Sequence, residues 1–151
     1  DFVTWELPYN FCNDVASGDA DFSEVICQGE GDVAFKDGTS TERVRVHFVS
    51  PNFFTSLGVQ AYLGRGLTTE DEHTRALNAV LSFGFWQKRM HADMSVVGRE
   101  IILGGHPFSI VGVSPEAFNG LAVDTSPDIR VPASVDRIRQ TKCIFPSGAR
   151  V

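Results

Sequence analysis

Ser82 is the residue that comes nearest to a nucleophile. In "VLSFG" it ends a short apolar strand and opens a helix, the strand-to-helix turn on which elbow-type hydrolases expose a serine. That tight turn calls for glycine at position 80, and Val80 stands there instead. A Ser82 hydrolase would also need a histidine and an orienting carboxylate that meet the serine in space. His73, His91 and His106 are available, but His91 ends a helix, where a cation is favoured, and His106 sits beside a hairpin bend. Surface roles explain both.

Other patterns stop short of a site. "GEGDVA" sets Gly29, Gly31 and Ala34 at G-x-G-x-x-A spacing, yet phosphate use of that motif needs a helix whose first amides point at the pyrophosphate. A hairpin pattern follows here. Asp19 and Asp21 lack the run of oxygen ligands and the closing glutamate of a calcium loop. Cys12, Cys27 and Cys143 have no CxxC spacing and no partnered HxxxH, so zinc lacks a ligand set. Cofactor-binding and metal-binding residues are therefore expected to be absent. Cys12 and Cys27 fit two readings: a short disulfide loop worth roughly 3 kcal/mol in an oxidising compartment, or two small buried apolar residues.

The elements that would carry these residues are short. Leu7, Phe11 and Val15 recur every four residues with Pro8 in the first turn, which predicts an amphipathic helix over residues 7 to 17, ended by Gly18. "DVAFKDGTSTERVRVHFV" predicts two strands about an Asp37-Gly38 turn. Val44, Val46 and Phe48 then share the buried face, and Arg43, Arg45 and His47 the wet one, which makes His47 a surface residue. In "VSPNFFTSLGV", Ser50 reads as an N-cap, Pro51 as the first helical residue, Phe53, Phe54 and Leu57 as an apolar face, and Gly58 as a left-handed stop. "VQAYL" reads as a strand and Gly64-Arg65-Gly66 as a turn. Thr68 or Thr69 then caps a helix whose first turn carries Glu70, Asp71 and Glu72, acids suited to the positive end of the helix dipole.

Further along, the strand "NAVLS" leads into a helix "FGFWQKRM" with Phe85, Trp86 and Met90 on one side. "GREIILGGHPFSIVGV" predicts a hairpin bent at Gly104-Gly105, "SPEAF" another Ser-Pro start, and "PDIRVP" a last strand. Beyond Ala133 the periodicity fades, so residues 134–151 are expected to be an irregular tail. The fold class is α+β: short helices packed on mixed, largely antiparallel sheets with β-hairpins. One domain spans residues 1–151, with lobes over 1–58 and 59–133 compatible with the pattern.

The totals agree with one domain. A chain of 151 residues hides roughly 70% of its unfolded surface on folding, and 42% hydrophobic against 21% charged residues lies within the globular range. The net charge of -6 is uneven, because residues 1 to 37 hold nine acids against the single Lys36. No clustered Lys and Arg surface suits nucleic acid, since the thin group Arg137, Arg139 and Lys142 reads as a solvated end. The uncharged run from Ile101 to Pro115 is interrupted by Gly104, Gly105, His106 and Pro107 and is shorter than the about 20 residues of a membrane span. With no start methionine and no signal-peptide pattern, the chain is expected to be an excised or processed piece.

The ordered phrases "VSPNFFTSLGV", "LGRGLTTED", "AVLSFGFWQKRM", "VGREIILGGHPFSIVGVSPEAF" and "PDIRVP" resemble the extracytoplasmic core domain of MacB-like ABC transporter permeases, the FtsX-type group. Upstream, "LPYNFCNDVASGDADFSEV" looks like that family's opening helix and its phenylalanine-containing turn. The resemblance covers about residues 5 to 133. Its structural signature falls on Ser50, Pro51, Phe53, Phe54, Leu57, Gly58, Gly64, Arg65, Trp86, Gly98, Gly112, Pro115, Phe118 and Pro132. Arg130 stands where the family more often has an aromatic or bulky residue, and no cysteine belongs to the pattern.

What the resemblance implies is an α+β domain inserted between the first two transmembrane helices of a bacterial inner-membrane permease and lying outside the cytoplasm. It implies no catalysis in this piece, ATP hydrolysis by a separate cytoplasmic domain or subunit, a periplasmic adaptor or substrate as partner, and a dimer in the full permease. Two rival readings are a free-standing periplasmic ligand-binding or adaptor module, with an apolar cleft between the Ser50 helix and the two hairpins, and the Ser82 hydrolase.

Overall fold

Period-two alternation along two long strands builds the centre of the molecule. The computed structural model describes residues 2–7, 26–38, 40–74, 76–116, 118, 127–133 and 141–146, with the backbone alone for 2–7, 27, 56 and 141–146. The first long strands, β2 (Ile26–Asp37) and β3 (Ser40–Val49), pair antiparallel in unbroken register from Gln28↔Val49 to Asp37↔Ser40. Gly38 at φ 73° makes the turn between them, a conformation that glycine adopts without steric cost.

The other strands are β1 (Phe2–Leu7), β4 (Leu63–Gly64), β5 (Asn78–Leu81), β6 (Glu100–Leu103), β7 (His106–Val113), β8 (Ile129–Pro132) and β9 (Thr141–Pro146). Among the described residues they join one nine-stranded sheet in the order β1-β9-β2-β3-β8-β5-β7-β4, while β6 pairs both β2 and β7. The β6 pairings bring the sheet round on itself, so β2-β3-β8-β5-β7-β6 is a closed six-stranded ring. Closure gives each of these six strands a neighbour on both sides, while β1 and β4 remain the two ends of the strand order. Two pairs in the ring are parallel, β3 with β8 and β5 with β7. The mixed, largely antiparallel α+β class is therefore the observed one.

The ring interior follows from parity. Phe35 of β2, Val44, Val46 and Phe48 of β3, Ile129 and Val131 of β8, and Ala79 and Leu81 of β5 form one buried cluster with Ile101, Leu103, Phe108 and Ile110. Each large apolar side chain so enclosed contributes about 1.5–3 kcal/mol of transfer free energy. Among the described residues three short helices pack on the ring: α1 (Phe53–Leu57), α2 (Thr69–Thr74) and α3 (Phe83–Arg89). Phe85, Trp86 and Met90 of the α3 region belong to the interior cluster, with Phe35 and Phe85 edge to face at 5.4 Å. Outside the ring a second cluster, Ile26, Val49, Phe53, Phe54, Leu67 and Val80, seats α1.

Several local expectations change. Leu7 ends a strand, and the remainder of the helix expected over residues 7 to 17 lies outside the described residues. Thr141–Pro146 form β9, paired with both β1 and β2, where an irregular tail was expected. Its partners are more than a hundred residues away in sequence, so local periodicity carries no sign of it. "VQAYL" contributes a strand only at Leu63–Gly64. Helix α1 starts later than expected: Asn52 occupies the N-cap, and the Ser50 hydroxyl bonds the Asn52 side chain at 2.6 Å. Pro51 accordingly lies in the preceding turn. At the other end Gly58, at φ 66° and ψ 30°, is the left-handed stop.

Candidate functional site

Ser82 sits on the strand-to-helix turn, but its chemistry is spent locally. Its backbone is extended at φ -71° and ψ 155°, and its hydroxyl caps α3 by accepting from the Phe85 amide at 3.2 Å. An elbow nucleophile would be held on a sharp, strained turn with its oxygen free. Beside Ser82 lies a cavity of about 410 Å³ whose lining includes Glu42, Lys88, Arg89 and Asp128, and no histidine among the described residues. His73, His91 and His106 are all exposed. Gly29 and Gly31 lie within β2 and are followed by more strand, so no helix presents amides to a phosphate.

The signature glycines meet at a backbone crossing. Gly64 of β4 pairs with Gly112 of β7. A Cβ on Gly64 would stand 2.1 Å from the Val111 carbonyl oxygen, and one on Gly112 would stand 2.0 Å from that of Arg65. The following residues lock the crossing. The Arg65 guanidinium donates to both Asp71 oxygens at 2.7 and 3.1 Å, and the Thr68 amide and Asn78 side chain donate to the same carboxylate at 2.9 and 2.8 Å. Burial pushes the Asp71 carboxyl up, and the hydrogen bonds from Arg65, Asn78 and Thr68 outweigh it, leaving it below the usual carboxylate range. "LGRGLTTED" is thus a clamp in which Thr68 and Asp71 form a capping pair.

The remaining signature residues also serve as joints. The Trp86 indole donates to the Asp93 carbonyl at 2.9 Å. Gly98, at φ 97°, donates to the Ile110 carbonyl at 2.7 Å, and the Phe118 amide closes a turn on Pro115 at 3.1 Å. Pro132 ends β8.

A buried polar row on the outside of the ring was not legible as such. Register sets Glu30 opposite His47 and His47 opposite Arg130. His47 and Arg130 are each only 1% exposed, which corrects the expectation of a surface histidine: the wet face holds at Arg43 and Arg45 and ends before His47. In the β3–β8 register His47 stands beside Arg130, and Phe53 of α1 and Phe118 lie over that arginine. His47 Nε2 lies 3.2 Å from a Glu30 carboxylate oxygen. Burial, with Arg130 adding to it, pushes the His47 imidazolium down to about 4, so the ring is neutral at pH 7. The Arg130 guanidinium lies 5.2 Å from the Phe53 ring centroid and 4.8 Å from that of Phe118, close enough for cation–π attraction. Its three nitrogens have no hydrogen-bond partner among the described residues, and burial lowers its pKa to about 10. The one available signal was Arg130 itself, a charge set between Ile129 and Val131 in a strand too short to alternate.

An apolar cavity of about 260 Å³ does exist, lined by residues such as Val33, Val46, Phe48, Phe108 and Val131. It belongs to the ring interior and the hairpins, on the opposite side of the sheet from α1, which differs from the cleft expected beside the Ser50 helix. Among the described residues no group of three or more His, Cys, Asp or Glu is arranged to hold a metal ion.

Comparison with known families decides the relationship. The model for the MacB-like periplasmic core domain matches residues 14–147. The chain belongs to this family. The match runs past Ala133, so β9 is part of the MacB-like domain. The fold is similar to the periplasmic region of MacB from Actinobacillus actinomycetemcomitans, with a TM-score of 0.72 at 16% identity, over 95% of this chain and 67% of that one. It is also similar to the extracellular domain of the noncanonic ABC-type transporter YknZ from Gram-positive bacteria, with a TM-score of 0.74 at 13% identity, over 95% of this chain and 75% of that one. No curated protein sequence matches the chain.

Proposed function

We propose that this MacB-like domain is a non-catalytic extracytoplasmic part of a bacterial ABC transporter permease. In that role it passes motion to a substrate or partner protein, or docks one, during export. The family match over residues 14–147 carries the reading. The site geometry supports it: the serine best suited to catalysis caps a helix, and the signature residues serve as joints between elements. A stiff transmitter needs such joints, and it has no use for perturbed nucleophiles.

On this reading the partners are the transmembrane helices of the same permease, a cytoplasmic ABC ATPase domain or subunit acting through them, and a periplasmic adaptor or substrate. A second copy of the permease completes the assembly, and nucleic acid has no part. Among the described residues no helix is long and apolar enough to cross a membrane, so the spans are expected elsewhere in the permease.

The test uses the full permease with its ATPase in proteoliposomes. Excising the domain should abolish export while basal ATP hydrolysis persists. Undiminished export by the excised form, or a parent reading frame without apolar spans, would refute the proposal.

A further inference from the structure

The cysteines have no part in the transport reading, yet the sheet sets two of them side by side. In the antiparallel β2–β9 pair Cys27 lies directly opposite Cys143, between Ile26↔Ile144 and Gln28↔Lys142. The register of β9 is in phase on its other side too, where Trp5 of β1 faces the same Cys143. Directly opposed residues of an antiparallel pair share one face of the sheet, with Cα atoms about 4.5 or 5.5 Å apart according to pair type. A disulfide spans Cα separations of about 4.4–6.8 Å, so both pair types admit the bond without backbone movement.

We propose that Cys27 and Cys143 are a disulfide-forming pair that fastens β9 to β2. Each thiol loses its proton and one S–S bond forms between them. The two electrons pass to an oxidised dithiol donor, whose own disulfide opens to two thiols. Extracytoplasmic compartments supply such donors. The bridge would take the place of a Cys12–Cys27 loop, one of the two readings open from the sequence, and Cys12 lies outside the described residues. It also closes a far longer loop, from residue 27 to residue 143, and longer loops restrict the unfolded chain more. The pairing stands on strand register and not on the transport role, so either can fail without the other.

The test is a disulfide map of the full purified chain. The protein is equilibrated with oxidised and reduced glutathione, free thiols are alkylated, and peptides from a non-reducing digest are weighed. The expected product joins the Cys27 and Cys143 peptides, about 2 Da lighter than the sum of the reduced pair, with Cys12 alkylated. Reductant should lower the Tm of the wild type by roughly 10 °C and leave the Tm of Cys143→Ser unmoved. Alkylation of all three cysteines after oxidation, or a bridge from Cys12 to either of the others, overturns the proposal. The wild-type map decides the matter even where a variant fails to fold.

Discussion

Arg130 carries a full charge into a place with no hydrogen-bond acceptor among the described residues. Two phenyl rings offset part of the cost, since cation–π attraction gives about 0.5–2 kcal/mol, whereas burying a charge without a partner costs several. Arg130→Met keeps the length and the apolar stem and removes the charge. We expect this variant to be more stable than the wild type by about 1 kcal/mol or more in urea denaturation. A clear loss of stability would show that the guanidinium is stabilising where it stands. His47 gives the same row a pH dependence. Its folded pKa is depressed, so the unfolded chain binds the proton first as pH falls. Stability is flat above the ordinary histidine value of 6.5, declines as pH drops from there to about 4, and loses about 3 kcal/mol in all. Asp71 acts in the same direction at lower pH, because its depressed pKa contributes stability that disappears only when the carboxylate is protonated. His47→Gln should flatten the decline between pH 6.5 and 4. If the slope survives that substitution, another group is responsible.

Among the elements, the two signature glycines of "LGRG" and "IVGV" explain more than the caps do. Gly58 requires glycine only for its backbone angle, since a Cβ there would meet nothing within 4 Å. Valine at Gly58 should therefore cost about 1–2 kcal/mol, the usual cost of a left-handed L-residue. Gly112→Ala should cost more, because its Cβ would lie 2.0 Å from a backbone oxygen that cannot step aside. Chemical denaturation of the two variants checks the order, and the reverse ranking would refute the tight β4–β7 crossing. The β2–β3 hairpin, helix α3 and the Gly58 stop were legible because each rests on residues close in sequence. What local pattern could not show is how elements cover one another. His47 alternates correctly with Val46 and Phe48, yet it is buried beside Arg130, which Phe53 of α1 and Phe118 cover. Strand β8 is buried on both faces for the same reason, and so Arg130 gave no sign of its surroundings. The Ser82 motif was read correctly as a turn, and the structure adds that its oxygen is already engaged.

At the scale of the sheet, the described strands make a closed ring with β4 beside β7 and a three-strand margin, β1-β9-β2, that shares β2 with the ring. The two parts meet a pulling force differently. In the outermost seam Phe2 faces Pro146 and Leu7 faces Thr141, so the beginning of β1 and the end of β9 lie at the same extremity. Tension that separates Phe2 from Pro146 loads one rung at a time, and the seam peels at low force. Among the described residues each of the six ring strands is paired on both sides, so force across the ring meets more than one ladder. The margin therefore opens like a zip from one extremity, and the hub has no such starting point among the described residues.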